Sequence, residues 1–261
     1  MSKTDDVLRS NRDAKKDSLI GYYPAGYPTL ADSIEAAVAM CEAGVDVLEI
    51  GVPYSDPVMD GLVIQEATQE ALENGFKLHQ VFDAVREITS RTDTPVLVMT
   101  YWNPVLQYGV ERFATDLKAA GGAGLITPDL IPDEAQEWLQ VSEELELDRV
   151  FLATPTSTPQ RVRRAAELSR GFVYAVSTMG ITGSRDEVDV MARNVVASVR
   201  HEAPDQNTAV GIGISTGSQA AEVNAYSDGA IVGSVFVTAF KNGGLTELRS
   251  KVLEIVSGLN K

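Results

Sequence analysis

The sequence predicts a single (β/α)8 TIM barrel over residues 1–261, with an extra helix before the first strand. Three observations support this fold: eight short apolar runs recur along the chain, helical patterns separate them, and Gly-rich segments follow the last three runs. Because most runs are apolar throughout, they are typical of parallel strands buried on both faces. A doubly wound open sheet, the structural alternative, would place its phosphate loop after the first strand instead.

The predicted strands and helices follow one another along the chain. The strands are Ser18–Tyr23, Val45–Gly51, Pro95–Tyr101, Ala123–Thr127, Arg149–Thr154, Gly171–Ser177, Ala209–Ile214 and Gly229–Ser234. Helices are predicted at Leu30–Ala43, Gly61–Asn74, His79–Arg91, Asp133–Leu147, Pro159–Ser169 and Val188–Glu202. Thr29 and Thr158 precede two of these helices as N-caps, and the proline after Thr158 suits a first helical position.

The composition excludes several classes of function. A formal net charge of -15 argues against nucleic acid or an anionic membrane as the main partner. The single cysteine, Cys41, lies in a helical pattern, so neither a disulfide framework nor a cysteine-based metal site is expected. The charged N-terminus lacks a signal-peptide core, and no apolar run reaches membrane-spanning length. We therefore expect a soluble cytoplasmic protein.

Glu49 is the strongest catalytic candidate. Strand alternation places it on one face with Val45 and Val47, whereas Leu48 and Ile50 point to the opposite face. Burying a carboxylate beside apolar groups is costly and disfavours its charged form. We therefore expect the pKa of Glu49 to be raised and its side chain to transfer protons.

A loop rich in proline and glycine, 52–61, follows this strand and carries two more carboxylates. Asp56 precedes a proline, and Asp60 precedes a glycine and a predicted helix. Either aspartate could be the ionised partner of Glu49, since a loop residue is better solvated than a strand end. Each also has a plain structural explanation, Asp56 as a turn former and Asp60 as a helix N-terminal residue.

Three Gly-bearing segments, Gly180–Ser184, Gly211–Ser215 and Gly233–Phe236, follow the last three predicted strands. Glycine lets the backbone approach a ligand closely, and free N–H groups at a helix start after Gly233 would bind an anion. Phosphate-binding barrels hold their anion at the loops after strands seven and eight. The glycines could also serve only as tight turns, but three at consecutive places favour a phosphate site.

Other catalytic chemistries lack residues where they would be needed. None of the eight lysines lies at the C-terminal end of a predicted strand, so a Schiff-base nucleophile is missing. Both histidines, His79 and His201, fall in helical stretches, so no histidine-based metal site is expected. What remains is acid–base chemistry by carboxylates on a phosphorylated substrate.

Several segments together resemble the tryptophan synthase α chain family. The segment LEIGVPYSDPVMDG at 48–61 is similar to that family's signature, and NPVLQYG, TPDLIPDE, YAVSTMGITG, GIGIST and GAIVGS continue the resemblance in order. It implies a lyase of tryptophan biosynthesis that cleaves indole-3-glycerol phosphate to indole and glyceraldehyde 3-phosphate by a retro-aldol reaction. It implies no cofactor and no metal in this chain.

The resemblance also implies roles for individual residues. Glu49 matches the carboxylate that relays protons to indole C3 and from the glycerol hydroxyl. Asp60 matches the loop carboxylate that holds the indole N–H, which favours it over Asp56. The implied substrate-binding residues are Tyr174, Thr182, Gly183, Gly213, Gly233 and Ser234. Tyr174 could equally be a packing residue, and closure of the loop that contains Thr182 is expected to exclude water.

A partner is implied as well. The α chains of this family dock on a β chain in an α2β2 heterotetramer, and indole passes internally to pyridoxal phosphate on the β chain. The loops Pro53–Asp60 and Asn103–Gly109 are expected at the docking face. Asn103 and Pro104 could equally be ordinary turn formers.

The sequence departs from the family pattern at several positions, none of which is a proposed catalytic group. They are Leu62, Val63, Thr178, Met179 and Ile212, together with Tyr22, Tyr23 and Pro24, which make the end of the first strand bulkier than usual. We expect altered pocket packing or partner coupling rather than a different reaction. Two alternatives remain: another phosphate-binding barrel enzyme, such as an indole-glycerol-phosphate-forming synthase or a sugar-phosphate epimerase, and a non-catalytic barrel subunit that activates a β chain.

Overall fold

A single parallel sheet organises the molecule. The computed structural model describes residues 2–176, 185–211 and 213–259. In that part of the chain the strands are β1 (Leu19–Pro24), β2 (Val47–Gly51), β3 (Val96–Met99), β4 (Gly124–Ile126), β5 (Asp148–Val150), β6 (Leu152–Ala153), β7 (Val173–Val176), β8 (Thr208–Gly211) and β9 (Gly229–Val232). Their spatial order is β5-β4-β3-β2-β1-β9-β8-β7-β6, and each neighbouring pair is parallel.

The two ends of this sheet meet, which closes it into a barrel. β5 pairs with β4 and β6 pairs with β7, and only Phe151 separates β5 from β6 along the chain. The Phe151 carbonyl also accepts a hydrogen bond from the Tyr174 N–H at 3.0 Å. The strand predicted at Arg149–Thr154 is thus interrupted once, which turns eight predicted strands into nine. The predicted (β/α)8 barrel is confirmed, and the two end strands of the sheet, β5 and β6, adjoin along the chain.

Helices surround the barrel in the described part of the chain. They are α1 (Lys3–Asp13), α2 (Leu30–Glu42), α3 (Leu62–Glu73), α4 (Gln80–Arg91), α5 (Trp102–Tyr108), α6 (Val110–Ala119), α7 (Gln136–Glu144), α8 (Pro159–Leu168), α9 (Arg185–Glu202), α10 (Gly217–Asn224) and α11 (Ser234–Gly258). The backbone of α11 is non-helical at Gly243 and Gly244, so two helical segments share that label. None of these described helices is long and apolar enough to cross a membrane.

Local sequence signals explain where several helices begin. The Thr29 hydroxyl accepts the Asp32 N–H, and the Thr158 hydroxyl accepts the Arg161 N–H, so both predicted N-caps are confirmed. The helix predicted at Asp133–Leu147 is shorter, because a 3-10 turn at Pro132–Glu134 precedes α7.

The segment Asn103–Gly109, expected as a loop, is instead almost entirely the helix α5. Its proline, Pro104, lies in the first turn of that helix, where a missing N–H costs no intrahelical hydrogen bond.

Two apolar clusters fill the structure, one between the strands and the helices and one inside the barrel. The inner cluster contains Leu8, Ile20, Val47, Leu97, Ile126, Val150, Phe172, Ala209 and Ile231. Leu48 and Ile50 belong to the outer cluster, as strand alternation predicted. Val45, predicted to share the inner face with Val47, precedes β2 and packs in the outer cluster instead.

The extra N-terminal helix closes one end of the barrel. Leu8 of α1 is fully buried against the inner cluster. Asn207, just before β8, donates to the Asp5 carboxylate at 2.8 Å and accepts from Arg12 at 3.2 Å. Because α1 lies at the N-terminal ends of the strands, the carboxyl ends are the ones left open for a functional site.

Candidate active site

The carboxyl ends of the strands carry a layer of polar side chains above the apolar interior. Tyr22 on β1 and Glu49 on β2 are register partners, each two residues beyond a member of the inner cluster. Tyr174 on β7 lies two residues beyond Phe172 in the same way. Tyr101 follows β3, two residues beyond Met99, which packs against the inner cluster. Strand alternation therefore brings one carboxylate and three phenols to the same mouth of the barrel.

Glu49 is buried, and no hydrogen bond from the described residues replaces the water that its carboxyl group loses. Its exposed fraction is 1%, and neither carboxylate oxygen has a hydrogen-bond partner among the described residues. Burial alone raises the pKa of Glu49 to about 8. The side chain therefore carries its proton at neutral pH and can donate it to a bound molecule.

Asp60 is the loop carboxylate that acts on the same tyrosines as Glu49. It is half-buried on the segment between β2 and α3, and the N-cap of α3 is Gly61 rather than Asp60. Burial raises the pKa of Asp60 to about 6, and interaction with the Tyr101 hydroxyl works in the opposite direction. At neutral pH Asp60 is therefore mostly ionised while Glu49 is mostly protonated.

The charges of Glu49 and Asp60 both act on the hydroxyl groups of Tyr22 and Tyr174. Burial, followed by the charges of Asp60 and Glu49, raises the pKa of Tyr22 well above its usual range. The pKa of Tyr174 is raised by burial and then by the same two charges. Asp56, by contrast, is exposed and accepts a hydrogen bond from the adjacent Ser55 hydroxyl at 2.6 Å. The geometry thus associates Asp60, and not Asp56, with Glu49.

Glycines on the inner face make room for the tyrosines. A methyl group at Gly51 would overlap the Tyr22 hydroxyl and the adjacent ring carbons. A methyl group at Gly211 would lie 2.5 Å from the Tyr174 hydroxyl oxygen. A side chain at either glycine would push its tyrosine out of the barrel mouth.

The predicted anion-binding residues that the structure describes lie after β8 and β9, which are neighbours in the barrel. Gly213 is exposed with φ +66°. Gly233 is the N-cap of α11 and its carbonyl accepts the N–H groups of Phe236 and Val237. The earlier N–H groups of Ser234 and its neighbour Val235 precede this hydrogen-bond ladder, as at any helix start. Such groups can hold an anion.

Some of the predicted residues lie outside the described residues. Among the proposed substrate-binding residues these are Thr182 and Gly183, and among the departures from the family pattern they are Thr178, Met179 and Ile212. Leu62, the first residue of α3, is 63% exposed, and Val63 packs against the outer cluster.

Sequence reasoning missed Tyr101 and noted Tyr22 only for its bulk. Both could have been found by extending the inward alternation of their strands, which runs from Leu97 through Met99 to Tyr101 and from Ile20 to Tyr22. What alternation could not reveal is the partner of the Tyr101 hydroxyl, because that depends on how the loop after β2 folds back.

The fold and the site define a barrel enzyme with two carboxyl groups of raised pKa at the carboxyl ends of its strands. Residues 8–257 match the family model "Tryptophan synthase alpha chain". The chain belongs to the tryptophan synthase alpha chain family, so the resemblance inferred from the sequence is confirmed.

Relatives support this assignment over the full length. The tryptophan synthase alpha chain of Leifsonia xyli subsp. xyli is 60% identical over 258 residues, which cover 99% of this chain and 98% of that relative. The alpha chain of Mycobacterium avium is 51% identical over 260 residues, covering 100% and 95%. A crystal structure of tryptophan synthase from M. tuberculosis in an aminoacrylate-bound form is similar with a TM-score of 0.91, 47% identity and 99% coverage of both chains.

We expect Gly51→Ala to destabilise the protein by about 1–3 kcal/mol, because the added methyl group overpacks the barrel mouth against Tyr22. Chemical denaturation measures the loss. In a Tyr22→Ala background the same change should cost much less, since the clashing ring is gone. Equal losses in the two backgrounds would show that Tyr22 is not what requires the glycine.

Proposed function

We propose that this chain is a carbon–carbon lyase that cleaves indole-3-glycerol phosphate to indole and glyceraldehyde 3-phosphate in tryptophan biosynthesis. One observation carries the proposal: Glu49, protonated and without a hydrogen-bond partner among the described residues, shares the barrel mouth with an ionised Asp60 in a chain of this family. Two carboxylates with separated pKa values can take opposite roles in one reaction.

The two carboxyl groups divide the reaction between them. Glu49 donates its proton to indole C3, and the positive charge that develops on the ring is stabilised by Asp60, which accepts the ring N–H. The Glu49 carboxylate then removes the proton from the glycerol hydroxyl next to the ring. The carbon–carbon bond breaks, its electrons return to the ring, and the hydroxyl carbon becomes the aldehyde. Glu49 ends with the proton it started with, so no further reactant is consumed.

Other residues at the mouth of the barrel make the remaining contacts with the substrate. Its phosphate is held by the backbone at Gly213, Gly233 and Ser234, and Thr182 and Gly183 complete this set as the family resemblance implies. Tyr174 forms a wall of the indole pocket. This arrangement places the anionic tail at the start of α11 and the aromatic ring between the two carboxyl groups.

A β chain of tryptophan synthase is the proposed partner, in an α2β2 heterotetramer whose β chains carry pyridoxal phosphate. Support comes from four exposed apolar residues on the segments that follow β2, β3 and β4. This docking patch consists of Val58, Leu62, Leu106 and Ile131, which are 79%, 63%, 51% and 45% exposed. Apolar side chains grouped at one rim of a barrel mark an interaction surface. Val58 and Leu62 flank Asp60 in sequence, so a partner seated there lies next to the indole site.

We expect Glu49→Gln and Asp60→Asn each to lower indole formation at least about 100-fold, because each removes a proton-transfer or charge-stabilising group. Indole release is measured with and without the β chain, and binding of a glycerol phosphate analogue should persist. Asp83→Asn, an exposed change on α4, is the control. Near-normal turnover in either site variant would refute the mechanism. A wild-type chain that binds the β chain but releases no indole would favour a non-catalytic subunit.

The rate of cleavage should follow a bell-shaped pH profile. Glu49 must be protonated to start, so activity falls as the pH rises through about 8. Asp60 must be ionised, so activity falls as the pH drops through about 6. A profile of kcat/KM for the complex tests both limbs. The residual activity of Asp60→Asn should lack the acid limb, and an unchanged acid limb in that variant would assign it to another group.

Leu106→Asp should weaken binding of the β chain at least about tenfold, because it places a charge within the docking patch. Calorimetric titration with purified β chain measures the affinity. The matched control is Leu253→Asp, since Leu253 is 50% exposed on α11 and lies outside the patch. Equal affinities for the two variants would remove the patch from the interface.

A further inference from the structure

We propose that Gln219 is a positioning residue for the phosphate of the substrate: its side-chain oxygen holds Ser215 and thereby fixes Gly213 at the barrel mouth. The proposal rests on the proposed function, which assigns the phosphate to a cradle formed by Gly213, Gly233 and Ser234. It adds a residue that does not touch the substrate and acts through the loop between β8 and α10.

Gly213 extends from this loop into open space. It is exposed, its φ is +66°, and a Cβ atom built there would meet no described atom within 4 Å. The next residue, Ile214, is 3% exposed and packs in the outer cluster. The place of Gly213 at the mouth therefore depends on how the residues after it are held.

Gln219 holds the loop by two hydrogen bonds to one residue. Its side-chain Oε1 accepts the Ser215 N–H at 2.8 Å and the Ser215 hydroxyl at 3.1 Å. Because a backbone N–H can only donate, the side-chain oxygen of Gln219, and not its amide nitrogen, faces Ser215. The chain is closed into a turn between these two residues, directly after Gly213 and Ile214.

The start of α10 fixes the backbone from which Gln219 reaches back. The Gln219 N–H donates to the hydroxyl of Thr216, the N-cap of α10, at 3.3 Å. A threonine N-cap followed three residues later by a glutamine is a capping-box pattern, in which both side chains accept backbone N–H groups. Here the glutamine reaches one residue further back than the cap, to Ser215. The helix start and the loop before it thus form one hydrogen-bonded unit.

The C-terminal end of α11 supports this unit. A methyl group at Gly217 would lie 2.6 Å from the Gly258 Cα atom and 2.7 Å from the Ile255 carbonyl oxygen, so the backbones of α10 and α11 are in contact. α11 begins at Ser234, in the other arm of the cradle. Because β8 and β9 are neighbours, the loops after them lie side by side. The bonds of Gln219 and the contact between α10 and α11 therefore set the spacing of the two arms.

The test is Gln219→Met in the full chain with its β chain, since methionine has a similar length but no amide oxygen. We expect KM for indole-3-glycerol phosphate to rise about tenfold and kcat to stay within about twofold, because the phosphate keeps its charge while the carbon–carbon bond breaks. Calorimetric titration of the same complex with glycerol 3-phosphate should show the same loss of affinity. Binding of indole, which has no phosphate, should not change.

Amide hydrogen exchange measures the proposed contact directly. The Ser215 N–H should exchange faster with deuterium in Gln219→Met, because its acceptor is gone. Gln219→Glu keeps an oxygen acceptor at the same distance along the side chain, so exchange in that variant should stay slow. Unchanged exchange at Ser215 in Gln219→Met would show that Gln219 does not hold the loop.

Gln80→Met is the matched control. Gln80 is the first residue of α4, and its side-chain oxygen accepts the Lys77 N–H at 2.7 Å, so the same kind of hydrogen bond is lost on a segment outside the cradle. The affinity for glycerol 3-phosphate should be unchanged in this variant. An equal loss in both variants, or a loss of indole binding in Gln219→Met, would indicate general loosening and overturn the proposal.

Gln219→Ala takes the place of Gln219→Met if the latter does not fold, since alanine suits a helix. A folded variant with wild-type affinity for glycerol 3-phosphate would overturn the role of Gln219. A wild type that binds glycerol 3-phosphate without cleaving indole-3-glycerol phosphate would refute the proposed function, and the affinities of the variants would still decide the role of Gln219. A wild type that binds no glycerol 3-phosphate would overturn both.

Discussion

The site depends on a carboxyl group that is buried in an apolar barrel and has no hydrogen-bond partner in the described part of the chain. Glu49 occupies an inward position where its neighbours along and across the strands are apolar or phenolic, so the proton stays on the acid at neutral pH. Asp60 differs because it stands on a loop and is only half-buried, and its pKa is raised only to about 6. Two carboxyl groups therefore have opposite protonation states at neutral pH, because Glu49 lies on a buried strand and Asp60 on a more exposed loop.

Space for a substrate depends on pairing large and small residues across the inner face. Tyr22 can lie over the second strand only because position 51 is glycine, and Tyr174 reaches over position 211 for the same reason. The tyrosines then form polar-edged walls above an aliphatic floor made by residues such as Ile20 and Val47. A barrel packed uniformly with medium-sized side chains would have neither the walls nor the room between them.

The sequence allowed the barrel, the inward direction of Glu49 and two helix caps to be predicted, because each follows from a local period or a single capping residue. The strand break at Phe151 and the helix α5 were not predicted, since both depend on packing between distant segments. The choice of Asp60 over Asp56 was open from local chemistry alone, and the family resemblance favoured Asp60. The hydrogen bond from the Met59 N–H to the Tyr101 hydroxyl joins residues that lie far apart in sequence but meet where the loop folds back, so no pattern within either segment encodes it.

The barrel cannot close before its last described strand has been synthesised, because that strand pairs with the first. β1 leaves the ribosome before the other described strands, yet one of its two neighbours is β9, with Leu19 paired to Ala230. Until that late segment emerges, the first strand has an open edge and Leu8 lacks one of its neighbours, Ile231. Until β9 has been made, the incomplete barrel exposes an unpaired strand edge through which copies of the chain could aggregate. Closure is expected to be slow, because it depends on contacts between residues far apart in sequence.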